Sequence, residues 1–412
     1  MEEMHNILVS AYGCEPFVGS EAGVGWNWVL QMAKNNRLHV ITRENNREKI
    51  EINLPVNLRK NIKFYYYDAP VYIRKLKCRE KGLYLYYTIW QFNIIKIIRK
   101  IIETNDIDYT MHLSFGSFWM PTFLPFFKTP FIWGPLGGGD CVPKSFLTTL
   151  PLKDHLVQSF RYFLKKSAFI NPLVAYPSKK AAAILVRTFD SAETIPDKYK
   201  DKVHIVLETA IEEEIFSLHN QCKKSDVTEL IYTGRLIPIK NVMSLVKTVK
   251  LLPDCNIHLT LVGRGNEKDH LISFINENGL QKKVTILDEV PRTKVLELLS
   301  QADIYLFPSL HEGGSWALME AMALGLPVIC LDCTGMHTIT NDQCAIRIKP
   351  HGSKKFVQDM AKAIQYLIDH PDIRRMMGEN GRKRIWDNFR WKDKSIFIER
   401  ILTVLDEVVM KE

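Results

Sequence analysis

Short apolar runs alternate with stretches of helical periodicity along almost the whole chain. In the first half, Ile7–Ser10, His39–Thr42, Ile62–Tyr66, Tyr109–Leu113, Phe131–Trp133, Ala183–Val186 and Val203–Leu207 read as strands, and residues 22–34 as the first helix. That alternation predicts a parallel, doubly wound sheet. The second half repeats it, with strands at Glu229–Thr233, His258–Val262, Val284–Leu287, Ile304–Pro308, Val328–Leu331 and Ala345–Ile348. Helical patterns at 241–251, 267–278, 292–300, 315–324 and 354–369 separate them. The prediction is an α/β chain of two Rossmann-like domains, 1–209 and 210–390, meeting near a polar stretch at 208–228. Residues 372–412 carry helical patterns broken at 388–391, more than the second sheet needs for cover. The segment 391–412 is therefore expected to cross back and complete the first domain.

At 412 residues the chain exceeds one ordinary core. With 46% hydrophobic and 25% charged residues it has a globular composition. The opening Met-Glu-Glu-Met-His-Asn has no basic stretch, so no secretory leader is expected. No run of about 18 apolar residues predicts a membrane span. The eight cysteines show no disulfide spacing and fit reduced thiols of a cytoplasmic protein. The net charge of +9 is one-sided: residues 1–210 hold 28 Lys+Arg against 19 Asp+Glu, and the remainder is balanced. No nucleic-acid-binding motif accompanies the excess, so an anionic membrane surface is the better partner. Segment 72–104 is the main candidate for that contact. It has eight Lys+Arg and two Glu, interleaved with Tyr84, Tyr86, Tyr87, Trp90 and Phe92. Phe160–Phe169 is a second candidate.

The candidate chemistry concentrates in residues 311–328. Glu312 stands in a glycine-rich loop after a predicted strand, and Glu320 stands eight residues later in a helical pattern that stops at Gly325. A strand, a Gly-Gly loop and a helix start present unpaired N–H groups to an anion, and two carboxylates accept hydrogen bonds from hydroxyls. The combination reads as a nucleotide-sugar site. A second cluster, Tyr232-Thr-Gly-Arg-Leu-Ile-Pro-Ile-Lys240, ends a strand at Gly234 and places Arg235 and Lys240 before a helix. Cations there suit a diphosphate. Gly263-Arg264-Gly265 and Asp288–Arg292 follow the next two strands.

In the first half, Gly19 opens a turn before the first helix and lets backbone approach a phosphate or sugar. The pattern is not Gly-x-Gly-x-x-Gly, so NAD is not expected. His112 sits at the carboxyl end of a predicted strand, where open α/β sheets bind ligands, and Gly134–Asp140 follows the next strand. Asp106-Ile-Asp108 and Cys330-Leu-Asp-Cys333 resemble metal motifs, but their contexts argue for no metal.

These motifs resemble the GT4 family of retaining nucleotide-sugar glycosyltransferases, which have the GT-B fold: two Rossmann-like domains facing a central cleft. The likeness rests on Glu312-x7-Glu320 with Ala-Met-Ala-Leu-Gly-Leu-Pro-Val, and on Arg235 with Lys240. It implies that Arg235 and Lys240 grip the diphosphate, Glu320 takes the ribose hydroxyls, and Glu312 holds the transferred sugar. It further implies that N–H groups of Gly314, Ser315 and Trp316 meet sugar and phosphate. Gly234 and Gly263 would line the nucleotide cleft, Val290 would hold the base through its main chain, and His112 would meet the sugar near the scissile bond. Departures are Ser315 where relatives often have glycine, Gly335-Met-His-Thr-Ile in place of Gly-Gly-x-x-Glu, and Thr209-Ala210 in place of Asn-Gly.

The implied activity moves a hexose-type sugar from a UDP- or GDP-sugar to a saccharide or lipid-linked acceptor in bacterial envelope polysaccharide synthesis. It needs no further cofactor and takes place at the inner face of the plasma membrane. Three other readings stay open: a GT-B epimerase, a phosphorylase, or an inactive membrane-bound partner in glycan assembly. An epimerase would act on donor alone, a phosphorylase would carry a lysine-bound pyridoxal phosphate, and an inactive partner would not turn over.

Overall fold

The computed structural model describes residues 4–19, 21–74, 82–218 and 226–409. Its strands are β1 (Asn6–Ala11), β2 (Arg37–Thr42), β3 (Ile62–Tyr66), β4 (Tyr109–Ser114), β5 (Phe131–Leu136), β6 (Ala181–Val186) and β7 (Val203–Ile205), followed by β8 (Thr228–Thr233), β9 (Ile257–Val262), β10 (Val284–Leu287), β11 (Ile304–Phe307), β12 (Val328–Leu331) and β13 (Ala345–Ile348). They form a seven-stranded sheet in the order 3-2-1-4-5-6-7 and a six-stranded sheet in the order 10-9-8-11-12-13. Every pairing is parallel. In each order the direction of winding reverses once, between β1 and β4 and between β8 and β11. Those points fix where ligands sit in such sheets.

The chain divides into two compact units. The first comprises residues 1–139, 164–208 and 391–412, and the second comprises 140–163 and 209–390. Residues 140–163, expected in the first domain, group with the second. Phe146 there meets Phe356 edge-on with ring centres 5.9 Å apart.

In the first unit the helix Leu83–Thr104 covers the sheet. Its buried residues Tyr86, Tyr87, Trp90, Ile94, Ile98 and Ile101 recur at three- and four-residue steps, so one face is apolar and packs with Leu8, Phe131 and Trp133. Each such side chain contributes roughly 1.5–3 kcal/mol by leaving water. Tyr86, Tyr87 and Trp90, expected among the membrane-facing aromatics of 72–104, are therefore core. Lys75, Lys77, Arg79 and Lys81 of that segment lie outside the described residues.

The helix Trp391–Val409 belongs to the first unit and packs on the helix Glu21–Met32. Lys394 anchors it: its Nζ donates to the Leu207 carbonyl at 2.7 Å and lies 5.8 Å from the centre of the Trp28 ring. Asp406 accepts from the Tyr109 hydroxyl at 2.6 Å. Among the described residues no helix is long and apolar enough to cross a membrane.

In the second unit, glycines let loops stack at the carboxyl edge of the sheet. Gly263 follows β9 with φ +148°, and a β-carbon there would lie 1.9 Å from the Gly234 carbonyl oxygen. That contact explains the glycine without a ligand.

Candidate active site

The loops after β8 and β11 leave the second sheet on either side of its winding reversal, and hydrogen bonds tie them together. Leu310 N–H donates to the Ile239 carbonyl at 3.0 Å, and the Asn241 side chain donates to the Pro308 carbonyl at 3.3 Å. These bonds set Lys240 against Glu312, and Lys240 Nζ donates to Glu312 Oε1 in an ion pair. Both side chains are largely buried, at 14% and 12% exposed. Glu312 is also held from the other side. Its N–H donates to the Thr334 hydroxyl at 3.2 Å, and its carbonyl accepts from Gly335 N–H at 3.0 Å. Thr334 and Gly335, which open the helix Thr334–Ile339 where a loop is expected, thus fix the backbone of Glu312.

Glu320 lies on the helix Trp316–Ala323 and is 7% exposed. Burial pushes its carboxyl up, opposed by Arg292. Arg292 Nε donates to Glu320 at 2.7 Å, and its Nη2 donates to Glu212 at 2.8 Å. Arg292 is the first residue of the helix Arg292–Ser300, where a cation opposes the helix dipole. The same argument that singled out Lys240 could have found it.

Arg235 is exposed and makes no ion pair among the described residues, while its carbonyl accepts from the Tyr232 hydroxyl at 3.0 Å. Ser315 is the N-cap of the helix Trp316–Ala323, its hydroxyl accepting from Leu318 N–H at 3.4 Å. The N–H groups of Trp316 and Ala317 have no acceptor within that helix. The Trp316 indole turns to structure, donating to the Ala210 carbonyl at 2.8 Å and bracing the linker. Gly234 and Gly263 are engaged with each other, as described above. Gly314 lies in the loop between Glu312 and the cap, and Val290 is half-buried beyond β10.

His311, missed in the sequence, is half-buried beside Glu312. Its Nε2 lies 3.1 Å from the Asp140 carbonyl and 3.1 Å from Arg161 Nη2. Burial, with Arg161 and Lys240 adding repulsion, pulls its pKa down to about 3, so it is neutral at pH 7.

In the first unit, His112 pairs in register with Ser10 of β1, at the winding reversal of that sheet. It is 1% exposed and its Nδ1 has no hydrogen-bond partner. Burial pulls its pKa down to about 4, with the Phe115 backbone opposing. Gly19 is exposed, and a β-carbon there would meet nothing within 4 Å, so packing does not demand the glycine. The close approach is at Gly25, whose β-carbon would lie 1.9 Å from the Gly13 carbonyl oxygen. Glu21, unremarked in the sequence, accepts from Gly116 N–H at 2.7 Å and from Arg187 at 3.4 Å, and Arg187 also meets Glu208 at 3.4 Å.

Residues 215–384, which hold the whole second-unit cluster except Glu212, Asp140 and Arg161, match the family described as glycosyl transferases group 1. The family match covers this segment, less than half of the chain. Glycogen synthase of Mycobacterium tuberculosis is 26% identical over 167 residues, 40% of this chain and 39% of that protein. The capsular polysaccharide biosynthesis glycosyltransferase CapM of Staphylococcus aureus is 26% identical over 167 residues, 38% of this chain and 41% of its own. The match thus spans about two fifths of these relatives. Among solved structures, Anabaena HepE in complex with UDP superposes with a TM-score of 0.62 at 14% identity, over 97% of this chain and 100% of its own. That likeness shows the GT-B fold over both units.

Two further motifs of the chain are structural. Asp108 accepts from Asn6 N–H at 2.7 Å and so fixes the start of β1. Cys330 is buried in β12 beside Thr340, and Cys333 faces the Leu310 carbonyl at 3.7 Å.

Proposed function

We propose that the protein transfers a hexose-type sugar from a nucleoside-diphosphate sugar, UDP- or GDP-linked, to an acceptor hydroxyl in bacterial envelope polysaccharide synthesis. The observation that carries this reading is the Lys240–Glu312 pair beside Arg235 at the winding reversal of the second sheet. A diphosphate offers Lys240 a better partner than a carboxylate, and Arg235 supplies a second cation for the leaving group. Glu312, released, accepts from sugar hydroxyls, and Glu320 accepts from the ribose. N–H groups of Gly314, Ser315 and Trp316 at the helix start add to the anion site. Gly234 and Gly263 shape the floor of the nucleotide site, Val290 presents backbone to the base, and Gly19 leaves backbone open to a ligand. His112, neutral through burial, offers a hydrogen bond to a sugar hydroxyl.

No carboxylate nucleophile is assigned. The acceptor attacks from the face the diphosphate leaves, the diphosphate takes its proton, and configuration is retained. Positioning and charge stabilisation supply the rate. The acceptor, a saccharide or lipid-linked saccharide, is met at the inner membrane surface.

The test is nucleotide-sugar-dependent thermal stabilisation of the full chain across UDP- and GDP-sugars, followed by turnover with the stabilising donor and NMR assignment of the anomer. Arg235→Ala and Glu320→Gln should each lower turnover by a hundredfold or more. Full turnover in both variants would remove the site, and an inverted anomer would remove the same-face mechanism.

A further inference from the structure

Three separated segments of the first unit build one apolar face ringed by lysines. On the helix Leu83–Thr104, opposite its buried stripe, Phe92 is 66% exposed. Its ring meets Phe123 with centres 6.0 Å apart, Phe123 meets Phe126 at 6.0 Å, and Phe126 meets Tyr176 at 4.9 Å. Tyr176 lies on the helix Pro172–Lys180, one turn from the exposed Leu173. Just before that helix, Phe169 and Ile170 are 66% and 70% exposed. The face thus continues from one helix across the Phe123–Phe126 loop to the next, and single exposed apolar residues do not account for it.

Charge decides the occupant. Lys96 and Lys100 follow Phe92 at four and eight residues, on the same side of their helix, and both are exposed. Lys128, Lys166, Lys179 and Lys180 are exposed beside the other parts of the face. Residues 83–104, 118–139 and 164–189, which build it, contain one acidic residue, Glu103 at the end of its helix. Aromatic rings at the level of lipid headgroups, with lysines reaching outward from them, are how a protein rests on a bilayer it does not cross.

We propose that this face docks the protein on an anionic lipid bilayer through the Phe92–Phe126–Tyr176 ring chain and the Phe169–Ile170 turn. It deepens the reading of a membrane-presented acceptor and rests on it for its biological use, but binding is measured without turnover. The contact lies on the exposed side of the helix 83–104 and on two segments outside 72–104.

The full chain is sedimented with vesicles of phosphatidylcholine alone or with 30% phosphatidylglycerol, at low and high salt. Binding to the anionic vesicles should be at least tenfold tighter than to neutral ones and should weaken with salt. Phe126→Ser with Phe169→Ser should lower it at least tenfold, and Lys128→Glu with Lys180→Glu should abolish the preference for anionic lipid. The melting midpoint of each variant, measured without lipid, shows that it folds. Equal binding to both vesicle types, or variants that bind as the parent does, would overturn the proposal. So would a face that instead mediates self-association, lost in the serine variants without vesicle binding. UDP-dependent stabilisation in a protein that ignores vesicles would leave the catalytic reading standing and remove this one. Vesicle binding without any nucleotide effect would do the reverse.

Discussion

Replacing Arg292 with methionine removes the only cation on the Glu320 carboxylate among the described residues while keeping the stem that packs beside it. The lost bond, 2.7 Å from Nε to Oε1, is charge-assisted. Hydrogen bonds to charged groups contribute roughly 1.5–3 kcal/mol. Because the Arg292 side chain is 52% exposed, water screens the pair, and about 1 kcal/mol of stability is the reasonable loss. For a unit of this size that is a fall of about 2–4 °C in melting temperature. The larger effect concerns ligand binding. Burial already pushes the Glu320 carboxyl up and Arg292 is the main force holding it down. Without the guanidinium the carboxyl rises further, and a protonated carboxyl loses acceptor capacity for ribose hydroxyls. Isothermal titration with UDP at pH 6 and pH 8.5 reads this directly. Arg292→Met should bind UDP about tenfold more weakly at pH 6 and recover much of the loss at pH 8.5, a difference of about 1.4 kcal/mol per tenfold step. Glu320→Gln should be weak at both. Equal affinity for Arg292→Met and the parent at both pH values would show that the pair is only structural and that Glu320 is not the ribose acceptor.

Two imidazoles with lowered pKa set an acid limit. With folded values near 4 for His112 and near 3 for His311, the unfolded chain binds more protons wherever the pH lies between those values and about 6.5. Stability is complete above about 6.5 and falls with pH, by about 2 kcal/mol per histidine at pH 5. Urea midpoints at pH 7.5 and 5 should show that loss shrinking in His112→Phe for the first unit and in His311→Phe for the second, and unchanged losses would refute the assignment. Gly263→Ala should cost more than 3 kcal/mol, since its β-carbon would sit 1.9 Å from a carbonyl oxygen, and a soluble variant melting like the parent would contradict the loop packing. Lys394 has its pKa pulled down to about 8 by burial, so the unfolded chain binds more protons between about 8 and 10.5 and this group makes stability rise with pH there. Lys394→Met should lose that rise, at most about 3 kcal/mol, in the difference between denaturation curves at pH 8 and pH 10.

Much of the fold is legible because strands of a parallel sheet are short, apolar and bounded by polar or glycine positions, as Val328–Leu331 and Tyr109–Leu113 are. Where the sequence misleads, local chemistry explains it. Phe131–Trp133 looks finished at Gly134-Pro135, yet β5 runs on to Leu136. The helix expected from Asn241 begins at Met243, because Asn241 takes a left-handed conformation with φ 54°. Residues 140–163 carry no local mark of the unit they pack with, since Phe146 meets Phe356 more than two hundred residues away. The same limit applies to the aromatics of 83–104. Their helical period is plain, but whether Tyr86 faces the core and Phe92 faces outward depends on where the sheet lies.

For the site, residue types were legible and partners were not. Arg235, Lys240, Glu312 and Glu320 stand out because charges in glycine loops and at helix starts need a reason. What the sequence hides is that the cluster satisfies itself: Lys240 with Glu312, and Arg292 with Glu320 and Glu212. Counting Arg235, the three cations and three carboxylates sum to zero charge. A diphosphate entering such a site does not meet a standing positive potential. On the proposed function it exchanges partners, taking Lys240 while sugar hydroxyls replace that lysine on Glu312. Desolvation of both charges has already occurred in forming the pair, so the exchange avoids most of the cost of stripping water from a buried lysine. A ligand with phosphate but no hydroxyls would free Glu312 without giving it a partner. One with hydroxyls but no phosphate would do the same to Lys240. A pair built this way selects for a molecule carrying both groups, which is the chemistry of a nucleoside-diphosphate sugar. Inorganic pyrophosphate and free hexose should accordingly each bind far more weakly than the two joined.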